Sequence, residues 1–252
     1  MQRKTNQLAV LFAAGLAVLP AQQRPPGRPA PVRGVSIPTV AGLPFSATLV
    51  IESERDSPDG FVVLRRTINV IARDAEGRTR NEVRRLMPES FHGSPELMSV
   101  RLFDLETRMR TTCDLEALGG WREFVPKTPA KPAAPNPMVH IEDLGTSTMN
   151  ALQVKGTRRT TQVEDAYGDP LQVEDETWYS PELHLTLLAR HSDPRIGVVQ
   201  TIGISGLRRE EPPASLFDVP QGCKILDRAP LAAPAQPATP PPAKAEPEEP
   251  PS

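Results

Sequence analysis

The sequence predicts a mainly β protein: a single curved antiparallel sheet (half-barrel) or a sandwich, with little helix and disordered proline-rich termini. Apolar residues alternate with period two over most of residues 43–226. Turn-forming clusters of Asp, Gly, Pro and Ser recur about every 8 to 14 residues. No amphipathic stretch runs longer than about two helical turns, and no internal repeat keeps a fixed period.

The ends are set apart by composition. Met1-Gln2-Arg3-Lys4, an apolar run from Leu8 to Leu19 and Pro20-Ala21-Gln22-Gln23 follow the charged, apolar, small-residue order of a signal peptide, residues 1–21. The run is shorter than the roughly 20 residues that cross a bilayer, and Pro20 ends it, so no membrane span is expected after signal removal. Of the 30 prolines, 21 crowd residues 20–44, 126–137 and 230–251. Chain so rich in Pro and Ala and so poor in aromatics cannot bury enough apolar surface to offset its ordering entropy. Residues 22–42 are therefore expected to be a linker, 126–138 a flexible insertion, and 227–252 a disordered Pro/Ala/Glu tail dispensable for folding. The β-rich domain is residues 43–226.

Within it, Ala47, Leu49 and Ile51 share one face of a strand that starts at Phe45. Asp56 to Gly60 turns the chain into a second strand, Phe61 to Arg73, with Val62, Leu64, Ile68, Val70 and Ala72 on its apolar side. Arg66 falls on that side, which implies a bulge or a buried ion pair. Arg78 to Leu86 reads as a charged edge strand. Leu97–Phe103 and Arg108–Cys113 form another hairpin. Asp114 to Leu118, stopped by Gly119-Gly120, reads as one helical turn. Val139–Leu144 and Met149–Val163 follow the insertion. A meander of Val173–Tyr179, Leu183–His191 and Gly197–Leu207 closes the domain, and Pro212–Phe217 reads as a short helical turn. Leu183, Leu185, Leu187 and Ala189 give the central strand of the meander one strongly apolar face.

The formal charge of −2 gives no reason to expect nucleic acid. Cys113 and Cys223, the two cysteines of the chain, can pair in an oxidising compartment or stay as separate buried thiols. Neither has the spacing of a CxxC or zinc motif, and no P-loop, dinucleotide fingerprint or HExxH is present, so no cofactor and no metal is expected. Gly203-Ile204-Ser205-Gly206 falls one residue short of a nucleophile elbow and lies in a strand pattern. His191-Ser192-Asp193 holds the residue types of a triad, whose geometry depends on spatial placement and not on sequence adjacency. Glu52/Glu54 and Glu174/Glu176 have the two-residue spacing of paired acids or of a solvated strand face. Seven arginines crowd Arg65–Arg85. They pair across strands with Glu52, Glu54 and Glu82, or they form an anion or partner face on which Arg78, Arg80 and Arg84 stand out.

Several stretches resemble a group of uncharacterised exported bacterial β-rich proteins. They are Trp178-Tyr179-Ser180-Pro181-Glu182-Leu183, His191 to Arg195, Leu216 to Pro220, Arg73 to Arg80 and Asp143-Leu144-Gly145-Thr146. The meander and its closing Phe-x-x-Pro segment are, more distantly, similar to the LolA-like lipoprotein carriers and RseB-like regulators. That likeness implies a curved sheet whose concave face holds an acyl chain or a peptide. The chain departs from the carriers in lacking the amphipathic helices that plug their cavity. The reading is thus a periplasmic or secreted, non-enzymatic module for an apolar ligand (lipid, acyl chain or peptide), lined by Leu183, Leu185, Leu187 and Trp178. The alternative is an envelope protein that binds another protein, and a hydrolase with an unrecognised site is the third.

Overall fold

The computed structural model describes residues 35–57, 59–127 and 136–228. The expected signal segment, most of the expected linker, the centre of the expected insertion and most of the expected tail lie outside them. Thirteen strands build one open, curved sheet. They are β1 (Phe45–Asp56), β2 (Val62–Arg73), β3 (Thr79–Arg84), β4 (Met87–Pro88), β5 (Leu97–Phe103), β6 (Met109–Asp114), β7 (Gly119–Phe124), β8 (Val139–Met149), β9 (Leu152–Glu164), β10 (Pro170–Ser180), β11 (Leu185–Asp193), β12 (Val198–Arg208) and β13 (Lys224–Asp227). Their order is β13-β7-β6-β5-β3-β2-β1-β12-β11-β10-β9-β8, with β4 beside β2. The single helical element among the described residues is a 3-10 turn at Ala214–Phe217. Among those residues no helix is long and apolar enough to cross a membrane.

The order follows from hairpins. β1–β2, β5–β6–β7 and β8 to β12 pair with their chain neighbours, and β1 pairs with β12 to join the two halves. Every pairing is antiparallel except one: β13 lies parallel to β7, Lys224 opposite Gly119. A disulfide between Cys113 on β6 and Cys223, Cα atoms 6.1 Å apart, carries the chain to that edge.

The core is the alternate face of β1, Phe45, Ala47, Leu49 and Ile51, packed with Ile71, Leu152, Val154, Ile202 and Ile204. Val35, ahead of the expected domain start, is 8 % exposed and belongs to the same core. Its segment is held down by Arg73, whose side chain is fully buried. Arg73 donates from Nε to the Leu43 carbonyl at 2.9 Å, from Nη1 to that of Pro38 at 2.8 Å and from Nη2 to that of Leu183 at 2.7 Å. Its guanidinium also lies 5.0 Å from the Phe45 ring centroid. Five fixed donors make arginine the cation best suited to such a place, and burial still holds its pKa below the ordinary value.

Several local expectations are corrected. On β2 Thr67, Asn69, Ile71 and Arg73 are buried, because these lie opposite Ile51, Leu49, Ala47 and Phe45, and Ala72, expected on the apolar side, is buried as well. Val62 and Ile68 are exposed instead. The β1–β2 register runs without a bulge, and Arg66 meets Glu52 at 3.5 Å in an exposed pair. β3 is interior, flanked by β2 and β5, since its charges neutralise one another. Residues 114–118 turn without forming a helix: Asp114 Oδ1 accepts from the Glu116 and Ala117 amides, an Asx turn that competes with helix. β8 runs to Met149, and Asn150 and Ala151, at φ 49° and 60°, make a two-residue turn of the kind that matches strand twist.

Candidate ligand groove

The face that carries the core continues across the other half of the sheet, since Arg73 lies opposite both Phe45 and Thr79, and Ile71 opposite both Ala47 and Asn81. Thr79, Phe103, Arg110 and Glu123 lie directly opposite one another across β3, β5, β6 and β7. Two residues along, Asn81, Arg101, Thr112 and Trp121 form a parallel row on the same face. The extended segment Val35–Thr39 runs along this floor as a wall, tied by Arg73 and by Asn81 Nδ2 to the Val35 carbonyl at 3.5 Å. Between wall and floor is a groove of about 770 Å³.

The floor combines aromatic surface with cationic groups. Arg108, at φ 61°, donates to the Val125 and Pro126 carbonyls and lies 5.4 Å from the Phe103 centroid. Arg228 stacks on Trp121 at 4.3 Å, and its amide donates to the Arg122 carbonyl. Arg110 meets Glu123 at a long 3.4 Å. Arg101 is exposed on the floor, opposite Thr112 and Asn81, neither of which carries a charge. The groove thus offers two aromatic faces and a net positive charge, suited to an extended ligand with apolar and anionic groups.

The leucines expected to line a ligand site do not line this groove. Leu183, Leu185 and Leu187 are 1, 0 and 2 % exposed and sit in the main core, with Trp178 half-buried against it. Trp178 donates from Nε1 to Glu176 at 2.8 Å and lies over Gly156, where an added Cβ would come within 2.8 Å of the indole. The arginines singled out from the sequence are committed to carboxylates. Arg80 and Arg84 close both ends of Glu82 with shortest contacts of 2.8 Å each. Arg80 also donates to the Leu216 carbonyl, and Arg84 to that of Pro95. Arg78 holds Asp74 at 2.5 Å, and that hydrogen bond raises its pKa.

The candidate chemical groups are also placed. His191 Nδ1 meets Asp175 at 2.7 Å, while Asp193 is bound by Arg195 at 2.7 Å. The three residues 191–193 are therefore not a triad. The hydrogen bond from Arg195 holds the Asp193 carboxyl below the usual range. Glu176 is likewise lowered, first by the Trp178 hydrogen bond and then by Arg158. Asp74, Glu76 and Glu211 bring carboxylate oxygens within 4.8 Å, but Asp74 is already held by Arg78 and Glu211 accepts from the Ala75 amide.

Sequence reasoning missed Arg101, Phe103, Arg110 and Trp121. The alternation of each short strand was visible, but the floor exists only through pairing among β3, β5, β6 and β7 and through the overlying Val35–Thr39. No turn signal encodes that crossing.

No protein-family model and no curated protein sequence matches this chain. Among solved structures it is similar to an uncharacterised conserved protein of Thermus thermophilus, at 12 % identity and a TM-score of 0.42, over 74 % of this chain and 91 % of that one. It is also similar to Pseudomonas aeruginosa MucB in its complex with MucA, at 13 % identity and a TM-score of 0.39, over 73 % of this chain and 58 % of that one. A LolA-superfamily protein of Nitrosomonas europaea aligns at 11 % identity and a TM-score of 0.28, over 71 % of this chain and 91 % of that one. At these identities the likeness concerns fold alone.

Proposed function

We propose that the chain is an exported, non-enzymatic binding module of the cell envelope that holds an extended peptide in the groove over β3, β5, β6 and β7. The observation that carries this reading is the pair of register-matched rows in which Phe103 and Trp121 alternate with Arg101 and Arg110. A bare acyl chain would cover Arg101 without pairing it, which is costly for a desolvated charge. A peptide supplies a carboxylate for Arg101 and apolar side chains for the two rings, beside the Arg110–Glu123 pair. The leucines Leu183, Leu185 and Leu187 then serve the core, and the lining role passes to Phe103 and Trp121.

Native mass spectrometry of gently purified protein tests this. The expected result is a set of bound peptide masses, with carriage reduced about tenfold in Arg101→Glu, an exposed position that leaves packing intact. Protein that carries no peptide, or an Arg101→Glu variant that carries it undiminished, would overturn the reading.

A second reading, binding of an envelope protein, is favoured by one feature: β8 is an edge strand of 11 residues, most of them exposed. Such an edge can accept a partner strand. Proline at Thr146 or Thr148 would then abolish capture of that partner while leaving groove carriage unchanged.

A further inference from the structure

Many of the large apolar side chains exposed among the described residues gather at one end of the sheet. Along the order β2-β1-β12-β11-β10-β9-β8 each strand is antiparallel to the next, so three turns share that end. These are the turn after Asp56, the turn after Asp193 and the turn after Glu164. Phe61, Val62 and Val63 at the first are 73, 61 and 43 % exposed, Ile196 at the second is 47 %, and Tyr167 at the third is 92 %. Met138, 50 % exposed, stands where β8 begins at the same end, opposite the upper part of β9. The β9–β10 hairpin reaches furthest, since Pro170 to Val173 continue beyond the stretch of β10 that pairs with β11. The other end of these strands carries no comparable set among the described residues.

The geometry points to this rim as a docking surface for a zwitterionic lipid bilayer. The apolar groups stand singly or in short runs on separate turn tips spread across six strand spacings, about 29 Å at ~4.8 Å each. A folded protein partner needs a contiguous complementary patch. A lipid interface does not, because headgroups flow around separate tips, and Tyr and Phe suit that boundary. Charges of both signs stand among the tips: Asp56, Asp59 and Asp169 are exposed, as is Arg65. That mixture matches headgroups carrying both an ammonium and a phosphate, and it gives no attraction to a uniformly anionic surface. The inference is independent of the groove, whose residues lie on other strands.

Vesicle sedimentation with the full chain tests it, using phosphatidylethanolamine with phosphatidylcholine and, separately, vesicles enriched in phosphatidylglycerol. The chain is expected to sediment with the zwitterionic vesicles, no better with the anionic ones, and undiminished in high salt. Phe61→Ser with Tyr167→Ser should weaken binding at least about tenfold, while Leu226→Ser, equally exposed on β13, should not. The double variant and Leu226→Ser both carry the apolar Leu8–Leu19 run, so its contribution cancels in their comparison, and location is read separately: Tyr167→Trp should shift emission to the blue on vesicles beyond any change shown by the unsubstituted chain with Trp121 and Trp178 alone. Unmoved Tyr167→Trp emission, unchanged binding of the double variant, or preference for anionic vesicles would overturn the proposal. So would self-association lost in the double variant without vesicle binding, which would assign the rim to a second copy of the chain.

Discussion

Glu82 sits between Arg80 and Arg84, one carboxylate oxygen on each guanidinium, with 6 % of its side chain exposed. Removing the anion leaves two arginines close together with nothing between them. Glu82→Ala is therefore expected to cost about 3–5 kcal/mol, read as a lower urea midpoint at unchanged slope; a loss under about 1 kcal/mol would contradict the burial of the triad. Asp193 gives the pH dependence. Its pKa is lowered by Arg195, so its contribution is complete above the unfolded value near 4 and is lost as pH falls through the lower folded value. Stability measured from pH 7 down to pH 3 should fall below about pH 4, and Asp193→Asn should flatten that fall. An identical slope in the variant would remove Asp193 from the account.

At the scale of elements, β13 is a four-residue parallel strand that would hardly hold its edge unaided. The Cys113–Cys223 bridge spans 110 residues of sequence, for which chain entropy suggests about 4–5 kcal/mol before strain. Replacing both cysteines by serine should lower stability by an amount of that order and expose the β7 edge to hydrogen exchange. Protection at Gly120 and Arg122 that survives the replacement would show that β13 holds without the bridge. The sequence made the long hairpins legible because their alternation is paired with a turn: Asp56 to Gly60 and Tyr167 to Pro170 are found where expected. It misassigned the face of β2, since Thr67 and Asn69 are polar residues carried inward by register with Ile51 and Leu49. It placed β3 at an edge because its charges looked solvated, although they neutralise one another within the fold. Of the groove, the residues were in view but the pairing that aligns them was not, since contacts such as Asn81 with Val35 join segments far apart in the chain.

At the scale of the molecule, the chain lays down β1 to β7 on one side of the β1–β12 seam and β8 to β12 on the other. Residues 125–138 must therefore pass from β7, beside one edge, to β8, which is the other. The join should be insensitive to added length. Inserting Gly/Ser chain to double it is expected to cost about 0.6 kcal/mol, checked by thermal melting, and a loss of several kcal/mol would show that its native sequence docks.

Shortening is another matter, and it concerns the curvature itself. Unrolled flat, the sheet would set β7 and β8 roughly ten spacings, about 48 Å, apart. β7 also ends at the opposite end of the sheet from the start of β8, so the span is longer still. Residues 125–138 reach at most about 50 Å when pulled straight. The connector thus limits the sheet as a bowstring does: the sheet cannot be flattened while the string is intact, and cutting the string would be the way to let it open.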